Sequence, residues 1–136
     1  MKNIVVFVLL MISIKVASQQ PVATKNSGDK GELTVYESAD KQPEFPGGIN
    51  IFRQKFSSGI KSSKIIGKGF VSAEAQFIID RDGEITDIRV KGENYTLNEE
   101  IKNSLLSLSK TKWSPAEING NRVRYRFRLP VKMNIE

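Results

Sequence analysis

The sequence predicts an α+β fold in two layers, in which a three-stranded antiparallel sheet carries two helices packed on one of its faces. The last stretch of the chain alternates apolar and polar residues, and two earlier strand-like stretches flank a tight turn. Two further segments have the 3.6-residue apolar period of amphipathic helices. Because the last stretch must bury a long apolar face, we expect it to join the hairpin in one sheet and to share the helix layer.

Residues 122–135 give the strongest of these patterns. A strand sends alternate side chains to opposite faces, so this segment should have one apolar face and one arginine-rich face. The apolar series is Val123, Tyr125, Phe127, Leu129, Val131, Met133 and Ile135, and the other series is Arg122, Arg124, Arg126, Arg128, Pro130, Lys132 and Asn134.

Pro130 predicts that this last strand lies at an edge of the sheet, because proline has no N–H to give to a neighbouring strand. Two interpretations of the arginine row, which consists of Arg122, Arg124, Arg126 and Arg128, then stay open. The arginines protect an exposed edge from pairing with foreign strands, or they receive an acidic extended peptide that adds a strand to the sheet.

The N-terminal part predicts export. Residues 1–18 have the features of a secretory signal peptide: a basic start at Lys2, an apolar run, and small residues before Gln19. The run is shorter than the roughly 20 residues that span a bilayer, and an uncleaved anchor is the alternative. Residues 19–32 are polar and predict a flexible lead-in, and residues 33–136 form the predicted folded domain.

The first half of the domain predicts a short strand near Tyr36, a fixed turn and a helix. The turn has two prolines and two glycines, with Phe45 as its one large apolar residue, and comprises Pro43, Glu44, Phe45, Pro46, Gly47 and Gly48. We expect Phe45 to plug the edge of the core. A helix over residues 49–60 follows, with its buried face formed by Ile49, Phe52, Phe56 and Ile60.

A hairpin comes next. Strands over residues 69–80 and 85–90 flank the turn Arg81-Asp82-Gly83-Glu84, in which Gly83 can take the left-handed conformation that a tight turn requires. The acidic residues here are interpreted as turn residues, because a calcium loop needs more oxygen ligands at a set spacing.

A second helix and a turn lead to the last strand. Thr96 and Glu99 have the spacing of a capping box, which predicts a helix from Thr96 to about Lys110. Its apolar face comprises Leu97, Ile101, Leu105 and Leu108. Trp113-Ser114-Pro115 should end this region, and Asn119-Gly120-Asn121 should form the turn into the last strand.

Composition restricts the function. The chain has neither cysteine nor histidine, which removes disulfides, thiolate metal sites and the commonest general base, so we expect no enzyme, no metal site and no cofactor. The net charge is +6, and the last fifteen residues have five basic residues and one acidic residue. Such a local stripe favours a localised acidic partner over nucleic acid, which needs many phosphate contacts.

Several motifs, taken in order, resemble the C-terminal domain of TonB in the form common in Bacteroidetes. The resemblance covers residues 33–136. The motifs are Pro43-Glu44-Phe45-Pro46-Gly47-Gly48, Phe77-Ile78-Ile79-Asp80, Asp82-Gly83-Glu84-Ile85, Leu97-Asn98-Glu99-Glu100, Lys112-Trp113-Ser114-Pro115-Ala116, Asn119-Gly120 and Tyr125-Arg126-Phe127-Arg128-Leu129-Pro130-Val131.

The resemblance implies a periplasmic domain that binds TonB-dependent outer-membrane receptors in energy-coupled transport. In that family the TonB box of the receptor adds as a strand beside the last strand of the domain. The partner-binding residues implied here are Arg122, Arg124, Tyr125, Arg126, Phe127, Arg128, Pro130 and Lys132. An uncleaved N-terminus would add an inner-membrane motor pair as partner.

Other interpretations remain open at this point. In one of them, the chain is a stand-alone periplasmic adaptor that binds a receptor without energising it. In another, the chain forms a homodimer. A nucleic-acid binder would need aromatic residues among the arginines, whereas Tyr125 and Phe127 alternate onto the opposite face.

Overall fold

The computed structural model describes residues 34–136 and the backbone of Ala23–Thr24. The predicted signal peptide and the rest of the predicted lead-in lie outside the described residues. The strands are β1 (Ala23–Thr24), β2 (Val35–Tyr36), β3 (Gly69–Ile79), β4 (Ile85–Gly92), β5 (Ala116–Ile118) and β6 (Asn121–Ile135), and the α-helices are α1 (Ile49–Ser58) and α2 (Tyr95–Ser107).

The three long strands that the sequence predicts form most of the sheet, with β3 between β6 and β4 in antiparallel pairing. β3 pairs with β6 along its whole length, from Gly69 opposite Ile135 to Ile79 opposite Tyr125. β3 also pairs with β4, with an irregularity between Gln76 and Ile78. Both helices and these strands supply side chains to one core cluster, which confirms the α+β class.

The prediction of a three-stranded, purely antiparallel sheet is wrong. The strand order is β1-β2-β6-β3-β4, and β5 pairs with the start of β6. β2 runs parallel to β6, with Val35 opposite Arg124 and Tyr36 opposite Tyr125. These extra strands contain only two or three residues, which is too short for an alternating pattern to identify how they pair.

The prediction that the last strand is a sheet edge is correct for only part of its length. β6 lies between β2 and β3 in the strand order. β2 covers only Arg124 and Tyr125, however, and Pro130 lies beyond this pairing. A proline is therefore tolerated in a strand that has two neighbours at one end and one neighbour at the other.

An aromatic cluster joins α1, the sheet and two loops. Phe52 of α1 lies 4.9 Å from Trp113 between ring centroids, and Phe45 lies 5.3 Å from Trp113 in an edge-on arrangement. Phe77 of β3 stacks on Phe127 of β6 at 5.2 Å. Phe45 is buried, so its predicted role as a plug of the core is confirmed.

The helices match their predicted buried faces better than their predicted ends. Leu97, Ile101, Leu105 and Leu108 are all buried. The N-cap of α2 is Asn94 and not Thr96, since the Asn94 side chain accepts a hydrogen bond from the Leu97 N–H at 3.0 Å. Thr96 instead donates to Asn94, and α2 ends at Ser107 rather than near Lys110. In α1, Phe52 and Phe56 are buried but Ile49 is exposed.

Both predicted turns form. Asn119 and Gly120 have positive φ values of 52° and 79°, which suits the type I′ turn of a two-residue hairpin between β5 and β6. Gly83 has a φ of 84°, and its carbonyl accepts a hydrogen bond from the Trp113 N–H at 2.8 Å. The Asp80 carboxylate accepts from the N–H groups of Asp82 and Glu84, so this side chain stabilises the turn.

Gly83→Ala should lower the free energy of unfolding by about 2–4 kcal/mol, because the left-handed conformation is costly for alanine and the new methyl group would overlap the Trp113 carbonyl. Urea unfolding measures this loss. Gly120→Ala is the matched control, since its φ is also positive but open space surrounds it. It should cost only about 1 kcal/mol, and equal losses for the two variants would contradict the contact with Trp113.

Candidate functional site

The outer edge of β6, which faces away from β3, is the candidate site. β2 pairs with this outer edge only at Arg124 and Tyr125, whereas β3 pairs with the inner edge from Tyr125 as far as Ile135. Among residues 34–136 and Ala23–Thr24, no strand pairs with the outer edge over residues 126–135. We call this part of β6 the open edge. Its outward N–H and C=O groups are the kind to which a further strand binds.

The open edge has two different faces, as the sequence predicts. Phe127, Leu129, Val131, Met133 and Ile135 are partly buried and pack against the core. The alternate residues Arg128, Pro130, Lys132 and Asn134 are exposed. Because the apolar side chains are only partly covered, an added strand could bury more of their surface while its backbone pairs with β6.

A hollow of about 390 Å³ lies at the start of the open edge, lined by Glu37, Tyr125, Arg126, Phe127 and Arg128. Consecutive strand residues point to opposite faces of a sheet. A hollow that touches four consecutive residues of β6 therefore lies along the edge of the strand rather than on either face. Since β3 occupies the inner edge, the hollow belongs to the outer one.

The arginine row is not a bare cationic surface. Arg128 donates from Nη2 to Glu37 Oε1 at 2.7 Å and from Nη1 to Glu74 Oε1 at 3.2 Å. Arg126 Nη1 lies 3.7 Å from the same Glu37 oxygen. The two arginines of the open edge thus already have two carboxylates of this chain as partners, which the spacing of the arginines alone does not predict.

These contacts shift the ionisation of both kinds of group. The hydrogen bond to Glu37, together with its negative charge, raises the pKa of Arg128. The hydrogen bond from Gln76, followed by that from Arg128, lowers the pKa of Glu74. Both shifts favour the charged forms, so the ion pairs persist at neutral pH.

The remaining predicted partner residues lie at the two ends of β6. Arg122 is exposed and, with Arg81 and Arg124, helps to line a second hollow of about 280 Å³ beside β5 and β2. Lys132 places its ammonium 4.9 Å from the centre of the Phe70 ring. The structure therefore brings Arg126 and Arg128 together at the open edge and leaves Arg122 outside it.

The predicted motif residues support the core and not the open edge. The backbone of Glu44 exchanges hydrogen bonds with that of Ser114, which joins the loop at Pro43 and Pro46 to the segment between Trp113 and Pro115. Gly47 and Gly48 both have positive φ values before α1. Asp82, Gly83 and Gly120 belong to the two turns described above. These residues fix the framework on which β6 is held.

Glu37 is the site residue that sequence reasoning missed. It follows β2 directly, and its carboxylate lies between two arginines that come about ninety residues later in the chain. The only signal in the sequence is an acidic residue at the end of a short strand-like segment, which is too common to identify it.

The chain matches no protein-family model, no curated protein and no solved structure. In the part of the chain that the structure describes, acidic residues do not gather into a group that could hold a metal ion. The described helices are also too short and too polar to cross a membrane. A proposed function for this chain therefore rests on the geometry of the open edge and on the sequence motifs.

Tyr125 should ionise at a higher pH than an ordinary tyrosine. Burial, and then the nearby charge of Glu37, raises the pKa of its phenol. The raised pKa means that Tyr125 stabilises the fold fully below the ordinary tyrosine pKa of about 10, and that this contribution is lost as the pH rises through the folded value. Absorbance at 295 nm, recorded during an alkaline titration, follows the phenolates.

Tyr125→Phe should remove from that titration a step that lies above the ordinary tyrosine pKa of about 10. Tyr95→Phe, which changes an exposed tyrosine, is the control and should leave that step in place. A titration in which Tyr95→Phe removes the raised step and Tyr125→Phe leaves it would contradict the assignment.

Proposed function

We propose that this chain is a periplasmic, TonB-like protein-interaction domain that binds TonB-dependent outer-membrane receptors by strand addition. The observation that carries the proposal is the open edge of β6. An extended segment of the receptor, the TonB box, pairs there with β6 as a further strand. The role is binding and not catalysis.

The open edge suits strand addition for a physical reason. Main-chain hydrogen bonds to an edge give affinity with little dependence on sequence, and the side chains on either face give preference. Here one face offers partly covered apolar side chains and the other an arrangement of charges. The pairing of β2 with Arg124 and Tyr125 supports the proposal further, because it is an example of a strand that uses this outer edge.

The resemblance of the motifs to the TonB C-terminal domain supplies the partner class and the compartment. The predicted signal peptide agrees with a periplasmic location. Energy-coupled transport would in addition require a link to the inner membrane and a motor pair. A stand-alone adaptor that binds the receptor without transmitting energy is the alternative form of the same proposal.

A homodimer through two open edges is less favourable. If two copies paired antiparallel about Pro130, Arg128 of one copy would lie opposite Lys132 of the other. Like charges directly opposite each other in an antiparallel pair are destabilising. A receptor segment with acidic or neutral residues avoids this repulsion.

Synthetic TonB-box peptides from the receptors of the same cells should bind the ¹⁵N-labelled protein. The amide signals of residues 126–135, apart from Pro130, should shift, and the alternate N–H groups that face away from β3 should become protected from exchange, because those groups gain partners. Two-dimensional NMR measures this. Residues 85–92 of β4 are the internal control, since β4 lies at the opposite end of the sheet from β1 and β2. Binding that protects β4 and leaves β6 unchanged would overturn the proposed site.

Strand addition is tested separately with two N-methylated peptides. Alternate N–H groups of a strand point to opposite sides, so methylating one alternate set removes the hydrogen bonds to β6 and methylating the other set does not. We expect the affinity to fall by about tenfold or more for one peptide only. Equal affinity of both peptides would exclude pairing through the backbone.

Sequencing of the N-terminus of the protein from its own cells, together with membrane fractionation, separates the two forms of the proposal. A chain that begins at Gln19 in the periplasmic fraction is expected, because the apolar run at the N-terminus is short and is followed by small residues. An intact Met1 in the inner-membrane fraction would contradict cleavage and favour an energy transducer with motor partners.

A further inference from the structure

Glu37 lies where a strand added to the open edge would begin. β2 ends at Tyr36, opposite Tyr125, and Glu37 is the next residue of the chain. After Glu37 the chain turns toward β5, where the Lys41 N–H donates to the Glu117 carbonyl at 3.0 Å. Glu37 is therefore the last residue of this segment beside β6, and it lines the hollow at the start of the open edge.

The carboxylate of Glu37 contacts two arginines of β6 and not only the one that the register of β2 would place opposite it. Continued by one residue, the register of β2 would put Glu37 opposite Arg126. Its Oε1 atom nevertheless lies closer to Arg128, at 2.7 Å, than to Arg126, at 3.7 Å. The Glu37 carboxylate and the Arg128 guanidinium thus meet at the hollow where an added strand would begin.

The arginines of the open edge are paired within the chain. Glu37 and Glu74 form ion pairs with Arg126 and Arg128, and Glu74 also lies within the electrostatic influence of Lys91. Glu74 belongs to β3, on the inner side of β6, and an added strand would not displace it. Glu37 lies on the outer side, and a strand paired with residues 127 and 128 of the open edge would meet its carboxylate.

A partner that removed Glu37 without replacing its charge would bind weakly. The Arg126 side chain is only 17% exposed, so water alone compensates poorly for a lost carboxylate. Glu74 would remain beside Arg128, but no ion pair joins it to Arg126 among the described residues. An incoming strand therefore has to bring a negative group to this place.

We propose that Glu37 is an internal substitute for an acidic side chain of the partner strand. The receptor segment then carries an aspartate or glutamate that faces Arg126 and Arg128, and it binds by taking the place of Glu37. The exchange keeps the two arginines paired before and after binding. It also makes Glu37 a competitor that lowers the affinity of the open edge for acidic segments. This inference rests on the proposed function, because it names the chemistry of the segment that the same edge takes.

The test compares wild type with Glu37→Gln, and uses Glu74→Gln as the matched control on the other side of Arg128. The probes are the TonB-box peptides of the receptors from the same cells. Each peptide is made with its own acidic residues and again with asparagine or glutamine in their places. Dissociation constants are measured by calorimetry at low ionic strength, and circular dichroism confirms that each variant is folded.

Glu37→Gln should tighten binding of the acidic peptides by about three- to tenfold, because the competing carboxylate is removed. Binding of the amide peptides should not tighten, and Glu74→Gln should tighten the binding of the acidic peptides less than Glu37→Gln does. Peptides that bind wild type and Glu37→Gln equally well, or that bind without needing an acidic residue, would overturn the exchange and leave strand addition standing. If no peptide bound to any of the proteins, both the exchange and the proposed function would be wrong.

Discussion

The pairing of β3 with β6 is the constraint on which the rest of the structure depends. Eleven residues of β3 are matched residue by residue with β6, and no other strand pair of the described chain is as long. Because this pairing sets which side of each strand faces the helices, it places Phe77 against Phe127 in the core and Glu74 beside Arg128 on the other face. A shift by one residue would exchange the two faces and bury the arginines. The register thus fixes both the core and the charges of the candidate site.

The difference in length between the strands produces the open edge. β6 has fifteen residues, whereas β2 has two, so the parallel pairing covers only the start of the outer edge of β6. Edge strands are usually protected by charge, by proline or by a covering segment. β6 has Pro130 and cations on one face, but the charges of Arg126 and Arg128 are balanced by Glu37 and Glu74. Protection of this edge is therefore compatible with the proposed binding, in which an acidic residue of the partner takes the place of Glu37.

The motif residues and the site residues have separate tasks. Phe45 and Trp113 form part of an aromatic cluster that joins two loops to α1 and to the sheet. The hydrogen bond from Trp113 to Gly83 then connects the turn between β3 and β4 to the same cluster. Such contacts hold β3 in place, and β3 holds β6. Most of the residues that carry the resemblance thus stabilise the framework, while those in β6 lie at the open edge, where binding is proposed.

The sequence by itself determined the strongly periodic elements: the two helices, the hairpin, the two faces of β6 and the turn at Asn119 and Gly120. Periodicity and turn preferences act over a few neighbouring residues, so a single sequence contains them. The tertiary structure alone decided the place of β2, the cap at Asn94 and the ion pairs of Arg128. β2 is too short to show a period, Asn94 begins the helix two residues before Thr96 by accepting from the Leu97 N–H, and Glu37 lies far from Arg128 along the chain. That Arg126 and Arg128 meet carboxylates of their own chain depends on contacts between distant segments, and only the folded arrangement of β2 and β3 on the two sides of β6 decides it.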